Sequence, residues 1–468
     1  MKRQKGIVSA AFALCAALLC AGECPKYVFL FIGDGMSMPQ RMVAEEFAAK
    51  TGYGELAMNR LPYQVCTRTK SANAVITDSA AAATAIACGA KTDNSMLGVL
   101  PDGTRLESMA EVAKRTGKKV GIVTTTTISH ATPAGFYAHR KSRGEAYRIG
   151  LDLVDSGFDY FAGGGFGGLE DDRKDSLYRG NIYDLARKAG YTVATNIETW
   201  AALRPGAKAL CTLAVNGLGY VIDRKQSIPR LASLVEKGIE VLDNPAGFFM
   251  MCEGGVLDWA GHANDAATNL REVLGLNDAV KVALAFAEKH PDDTLIITTG
   301  DHETGGLSMG FAGTGGKFKV ELLAGQKMST ENFSGIVKKM LMDDVDIPFE
   351  RIKPLITENY GLVFGGETAD PMKVTEAEEK VLRNAFEKDR EQTRKRIADT
   401  TAYDASRRYR FAATVCGVLA AHAGIGWSSG NHTALPTLTT AQGRHADILM
   451  GMAENTDIGR RVKELLLK

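Results

Sequence analysis

The 468-residue sequence predicts an α/β protein: a doubly wound, mostly parallel central sheet with helices on both faces, plus a helical insertion. Three observations point there. Short, uninterrupted apolar runs recur along the chain, and segments with helical spacing of apolar residues lie between them. Many of the 50 glycines fall where those runs stop. A strand covered on both faces reads as a continuous apolar run rather than as an alternation, which is what a parallel sheet demands.

The chain opens on a basic and then apolar segment. Lys2, Arg3 and Lys5 precede an apolar stretch from Ile7 to Leu19, and the small residues Ala21 and Gly22 come after it. That stretch is too short to span a bilayer, so residues 1–22 read as an export signal and 23–468 as the mature domain, periplasmic or extracellular. Cys20 or Cys24 could carry a lipid anchor, although the residues before each match a lipobox poorly. Strands are expected at Tyr27–Ile32, Lys119–Val123, Phe158–Ala162, Phe248–Cys252 and Thr294–Thr298, and amphipathic helices at Ile228–Leu242 and Asn264–Lys289. From about 311 to 424 helical patterns replace the alternation. Thr375 with Glu378 makes a capping box ahead of "VLRNAF", and Asp404–Ala421 reads as a further helix. Two roles stay open for this insertion, a cap over the functional site or a subunit contact.

Composition bounds the function. With 45% hydrophobic and 24% charged residues and a net charge of +1, the chain suits a soluble domain with a substantial core. No basic run or basic-aromatic stripe supports nucleic-acid binding. Of eight cysteines, Cys15, Cys20 and Cys24 lie in or beside the leader. The others, Cys66, Cys88, Cys211, Cys252 and Cys416, show no C-x-x-C spacing and read as small buried hydrophobes rather than a disulfide framework.

Chemistry gathers where the expected strands end. The first stops at "GDGM" with Asp34, another at "CEGG" with Glu253, a third at "TGDHETGG" with Asp301 and His302. Ligands of open α/β sheets bind beyond the carboxyl ends of strands, so these residues should share one crevice. Carboxylates packed together repel, and a cluster of them implies cations. Asp258 and His262 in "LDWAGH", four residues apart, share a helix face, and His432 sits in the polar loop "SSGNHT". His139, His290, His422 and His445 are expected to be structural, the last three for want of nearby acidic partners. Mixed carboxylate and imidazole ligands suit zinc; oxygen-only ligands suit magnesium. Ser79, in "VITDSAAAATAIACGAKT", stands at the start of an alanine-rich helix with no G-x-S-x-G and no histidine nearby. Either Asp78 or Ser79 caps that helix, or Ser79 is a nucleophile that something other than histidine activates.

Six motifs in order, "FIGDGM", "TDSAAAATA", "HATPAGFYAH", "EGGVLDWAGH", "TTGDHETGG" and "NHT", resemble those of the alkaline phosphatases over nearly the whole mature chain apart from the insertion. The resemblance implies a phosphomonoesterase with two zinc ions and one magnesium ion, acting on small phosphomonoesters and releasing inorganic phosphate. Ser79 matches the nucleophile that becomes phosphoserine. Asp258, His262 and His432 match the ligands of one zinc. Asp34, Asp301 and His302 match those of the second, with Asp34 bridging to magnesium, whose other protein ligands match Thr132 and Glu253. Arg143 falls where the family has a phosphate-binding arginine, with Arg140 close enough to compete for that alignment. Family members are often dimers, so a homodimer is open. His130 and Trp259 replace an aspartate and a lysine found in one branch, which implies a loosely held third ion and weak inhibition by phosphate. The rivals are a phosphodiesterase of the same superfamily, a sulfatase, and a non-catalytic exported metal- or phosphate-binding protein. Thr132, Glu253 and Arg143 weigh against the first. The second is disfavoured because Ser79 is not in a C/S-x-P-x-R context, and the third because no ligand is lost.

Overall fold

In β1 (Tyr27–Gly33) every residue is buried: Tyr27, Phe29 and Phe31 enter one apolar layer, and Val28, Leu30 and Ile32 the other. This is the double coverage that a continuous apolar run requires. The structure, a computed structural model, describes residues 24–169, 177–366, 369–398 and 410–468. The expected leader, 1–22, lies outside the described residues.

Eight further strands complete the sheet: β2 (Tyr63–Thr67), β3 (Lys119–Thr127), β4 (Tyr160–Gly164), β5 (Thr192–Ala194), β6 (Ala209–Thr212), β7 (Phe248–Gly254), β8 (Thr294–Gly300) and β9 (Thr437–Gly443). Their order is β2-β9-β8-β1-β7-β3-β4-β6-β5, and only β9 runs antiparallel to its neighbours. Gly33 pairs with Gly254 on one side and Gly300 on the other, so three adjacent strands stop level with one another. The segments leaving these three strands therefore start side by side at one edge of the sheet. Gly300 is needed there: a Cβ on it would stand 1.8 Å from the Met36 carbonyl oxygen.

All five expected strands are present, with shifted ends. β3 runs on to Thr127, because its threonines continue an extended backbone beyond the apolar run. β4 begins two residues later than expected, at Tyr160. The helices Leu231–Leu242 and Ala266–Ala287 lie within the spans expected for them. Among the described residues no helix is long and apolar enough to cross a membrane.

The stretch 311–424 lies between β8 and β9 and carries the helices Thr330–Asp343, Lys353–Tyr360, Glu376–Ala398 and Phe411–His422. The capping box forms: the Thr375 N–H donates to Glu378 Oε2 at 2.8 Å and the Glu378 N–H to Thr375 Oγ1 at 3.2 Å. The helix expected from Asp404 starts at Phe411, and residues 404–409 lie outside the described residues. Asp265, at the start of the helix Ala266–Ala287, ties this region to the core by accepting the Thr330 N–H and hydroxyl, both at 2.8 Å, and the Gln326 amide at 2.8 Å. Cys88, Cys211, Cys252 and Cys416 are buried and free, but Cys66 is exposed on β2 instead of buried. The side chains of β2 alternate toward solvent, which a lone apolar-looking cysteine does not reveal.

Candidate active site

Asp78 takes the N-cap of the helix Ser79–Cys88, and its Oδ1 accepts the Ala81 N–H at 3.0 Å. Capping therefore occupies Asp78 and leaves the Ser79 hydroxyl free. Ser79 Oγ is buried 3.2 Å from Nε2 of His302, which comes from the loop after β8. The alanines make the helix thin. A Cβ on Gly135 would lie 2.8 Å from the Ala83 Cβ, so the turn carrying Thr132 packs directly onto it.

The strand ends supply the acids. Asp34 Oδ1 is 3.2 Å, and Asp301 Oδ2 3.4 Å, from His302 Nε2. The other oxygen of Asp301 accepts the N–H groups of Gly35 (3.1 Å) and His302 (2.9 Å), which fixes its carboxylate. Asp34 Oδ2 is 3.4 Å from Thr132 Oγ1. Glu253, inside β7, accepts the hydroxyls of Thr124 and Thr126 on the neighbouring β3, the latter at 3.2 Å. His130 Nδ1 lies 3.9 Å from Asp34 Oδ2 and 4.0 Å from Glu253 Oε1.

Asp258 and His262 share a face of the short helix Val256–His262, with Asp258 Oδ2 3.3 Å from His262 Nε2. His432 Nε2 is 3.5 Å from Asp258 Oδ1, and its ring stacks on His302 at a centroid distance of 3.6 Å. Three sets of donor atoms lie within 4.8 Å of one another: Asp34, Asp301 and His302; Asp258, His302 and His432; Asp34, His130 and Glu253. His262 stands just outside the second set, on the far oxygen of Asp258, and His130 joins the third.

The residues fit divalent cations. Asp34 Oδ1, Asp301 Oδ2, Glu253 Oε1 and His130 Nδ1 are buried without a hydrogen-bond partner, an arrangement that costs free energy unless a cation satisfies it. Burial pushes the Asp34 carboxyl up to about 7 and Glu253 to about 8, and raises Asp301 well above its usual range; neighbouring carboxylates add to each. Asp258 goes the other way: burial opposes it, but the His262 hydrogen bond and the surrounding imidazoles hold it ionised. The same bond raises His262 to about 9. Burial lowers His302 to about 4 and His130 to about 3, keeping both rings neutral. His262 Nδ1–H donates to the Gly430 carbonyl at 2.7 Å and His432 Nδ1–H to the Thr77 carbonyl at 2.9 Å, so each presents Nε2 to the crevice. Metal-ligating histidines are oriented in this way.

Arg143 reaches the site and Arg140 does not. Arg140 forks onto Asp152, with its Nε 2.8 Å from Oδ2. Arg143 Nη1 is 3.1 Å from Asp78 Oδ2, and its Nη2 is 3.3 Å from His130 Nε2. His130 in turn meets the Trp259 ring edge to face at 6.3 Å between centroids.

Sequence reasoning missed the supports. Thr304 donates to Asp258 Oδ1 at 2.5 Å. Buried Glu303 accepts from Gln40 (2.6 Å), from the Gly306 N–H (3.0 Å) and from the Thr433 hydroxyl, tying the His432 strand to the His302 loop. The short ladder pairing His432 with Thr304 has the same effect. An acid directly after the two expected ligands in "DHET" is the signal that could have found Glu303. His422 does have an acidic partner, Glu378 at 3.0 Å, brought to it by the insertion; His139 binds Glu111 and the Gly98 carbonyl as a structural residue.

The alkaline phosphatase family model matches residues 25–467. Alkaline phosphatase 3 of Bacillus subtilis is 29% identical over 453 residues, covering 94% of this chain and 89% of that protein. Alkaline phosphatase 4 of the same organism is 35% identical over 305 residues, 62% of this chain and 63% of its own. Among solved structures, the cold-active enzyme of a psychrophilic Shewanella aligns at a TM-score of 0.78 and 26% identity, covering 94% of this chain and 100% of that one. The Thermus thermophilus alkaline phosphatase aligns at 0.76 and 27%, covering 94% and 90%.

Proposed function

The chain belongs to the alkaline phosphatase family of phosphomonoester hydrolases, and we propose that it is an exported enzyme that hydrolyses small phosphate monoesters through a phosphoserine on Ser79, with two zinc ions and one magnesium ion. In this reading Asp258, His262 and His432 hold one zinc, Asp34, Asp301 and His302 the other, and Asp34, Thr132 and Glu253 the magnesium. The bound cations would supply Lewis acidity to the serine hydroxyl, the leaving oxygen and the phosphoryl group.

The chain's own residues do the rest. Ser79 Oγ forms the bond to phosphorus as the bond to the alcohol oxygen breaks, and water later cleaves the Ser79–phosphate bond to release inorganic phosphate. Asp78 braces Arg143 through Oδ2 while capping the helix with Oδ1, so the guanidinium is set beside Ser79 for bidentate contact with the phosphoryl oxygens. Free N–H groups at the start of the helix Ser79–Cys88 favour the same anion. Thr304 and Glu303 hold the carboxylate and imidazole donors still. Export rests on the pattern of residues 1–22.

One observation carries the reading: Ser79 Oγ, uninvolved in capping, lies 3.2 Å from Nε2 of His302, a histidine that two donor sets share. The test is turnover of an aryl phosphomonoester against a phosphodiester, with and without chelator, followed by acid trapping of phosphoenzyme and peptide mapping. Phosphate on a residue other than Ser79, or preference for the diester, removes the proposal.

A further inference from the structure

We propose that Ser95 is a positioning residue for Arg143: a left-handed backbone at Ser95 clamps Asp78 to Arg143 and so fixes the guanidinium against the residue that precedes Ser79. The inference rests on the reading of Arg143 as the arginine that holds the phosphoryl group. Among the described residues three that are not glycine have a positive φ: Ser95 (78°), Asn264 (54°) and His445 (59°). Asparagine and histidine are enriched in that region, and serine is not. Ser95 stands third in the turn of residues 93–96, which closes with the Met96 N–H on the Asp93 carbonyl at 3.1 Å. A turn with positive φ at that place calls for glycine. A serine there is strained, and such strain persists only where the surroundings hold it.

Both backbone polar groups of Ser95 go to residues of the site. Its N–H donates to Asp78 Oδ2 at 3.0 Å, and its carbonyl accepts the Arg143 N–H at 2.7 Å. Asp78 Oδ2 also accepts from Arg143 Nη1, so Ser95, Asp78 and Arg143 close a ring of hydrogen bonds. An ordinary negative φ would turn the two peptide planes of Ser95 relative to one another, and the two bonds would not both survive.

The neighbours of Ser95 fasten this ring to the helix Ser79–Cys88. Asn94 Oδ1 accepts the Asp78 N–H at 3.1 Å. Thr84, on that helix, accepts the Gly98 N–H at 3.0 Å and donates to the Met96 carbonyl at 3.3 Å. Leu97 exchanges two backbone bonds of 2.8 Å with Arg140. Residues 94–98 thus form a strut between the helix that begins with Ser79 and the segment that carries Arg143. The Arg143 side chain is 31% exposed, so burial alone does not hold it. A guanidinium set in advance meets the phosphoryl oxygens without the entropy cost of ordering a long side chain at that moment. The clamp uses backbone groups of Ser95 alone, so glycine can take its place.

The experiment measures the inhibition constant of inorganic phosphate and the kcat/KM of an aryl phosphomonoester on the full-length, metal-loaded protein, with zinc and magnesium content determined alongside. Ser95→Pro removes the N–H and imposes a negative φ. Ser95→Val places a β-branched residue where φ is positive, and decides the matter should Ser95→Pro not fold. In each variant the phosphate constant should rise and kcat/KM should fall about ten-fold, with metal content unchanged. Ser95→Gly keeps the turn and relieves the strain, so both constants should stay within about two-fold of the wild type. In an Arg143→Ala background Ser95→Val should cost less than about two-fold, because its effect runs through a side chain already absent. A merely structural serine would lower metal content and would act as strongly without Arg143. Unchanged constants in Ser95→Val, or a loss that persists undiminished in the Arg143→Ala background, overturns the clamp. If Arg143→Ala itself leaves the phosphate constant unmoved, the reading of Arg143 falls, and the clamp with it.

Discussion

Loading the metal-free protein with Zn²⁺ and Mg²⁺ should expel protons in a number set by burial. Asp34 titrates near 7, Glu253 near 8 and His262 near 9, and Asp301 is raised well above its usual range. At pH 6 Asp34, Glu253 and His262 therefore hold a proton, and each must lose it before it can donate a lone pair to a cation. These three groups should release about three protons at pH 6 and progressively fewer toward pH 10 as they ionise unaided, and the raised Asp301 carboxyl adds to the release in the same direction. Calorimetric titration in two buffers of different ionisation enthalpy counts these protons directly. Stability tracks the same titrations. Raised folded-state values stabilise the metal-free protein fully below the unfolded values, 3.8 for Asp34 and 4.5 for Glu253, and that contribution is lost as pH rises through about 7 and 8. His262 acts in the same direction, its share lost through about 9. The Tm of metal-free protein should thus fall between about pH 5 and 9 while the gap to the metal-loaded protein widens. A release below about one proton at pH 6, independent of pH, would refute the assignment of buried, protonated carboxyls.

Ser79→Ala should lower kcat by about 10⁴-fold or more while equilibrium dialysis shows zinc and phosphate still bound; retained turnover would place the nucleophile elsewhere. His432→Ala leaves Asp258 and His262 as two ligands where catalytic zinc sites use three, so metal analysis should show partial loss of zinc, and full occupancy with a normal rate would show that His432 is no ligand. The double substitution His130→Asp, Trp259→Lys adds a carboxylate to the set of Asp34 and Glu253 and a cation near Arg143. It should bind Mg²⁺ more tightly and be inhibited by phosphate at lower concentration; constants that do not move would end the electrostatic reading of these two positions.

The parallel core was legible because β1, β7 and β8 are apolar on both faces, a pattern that a half-exposed strand does not produce. β2 and β9 were not: β2 is an edge strand whose side chains alternate toward solvent, and β9, though largely buried, is rich in threonine and shows no continuous apolar run. Within the site, Asp34, Asp301 and His302 stood out because strand ends concentrate chemistry. That His302 faces both Ser79 and two donor sets, while His262 sits behind Asp258, depends on side-chain direction at the ends of separate elements, which spacing does not encode. Arg140 and Arg143 are three residues apart and alike in sequence; the distant partners Asp152 and Asp78 tell them apart. Glu303 and Thr304 escaped notice for a similar reason, since their roles come from contacts with Gln40, Thr433 and Asp258 far away in the chain.

The level ending of β8, β1 and β7 also has a bearing on how the chain folds. Pairing these three strands brings Asp34 to Glu253 and Asp301, each more than two hundred residues further along the chain, before anything local rewards the closure. Ionised, the three acids oppose the very register that completes the sheet. Cations, or protons at lower pH, relieve that opposition. His432 arrives from near the end of the chain, on a short ladder held by Glu303 and just ahead of β9. A cation shared between the strand-end acids and His432 would therefore also favour the docked position of β9, so that metal occupancy and the seating of this strand would support each other.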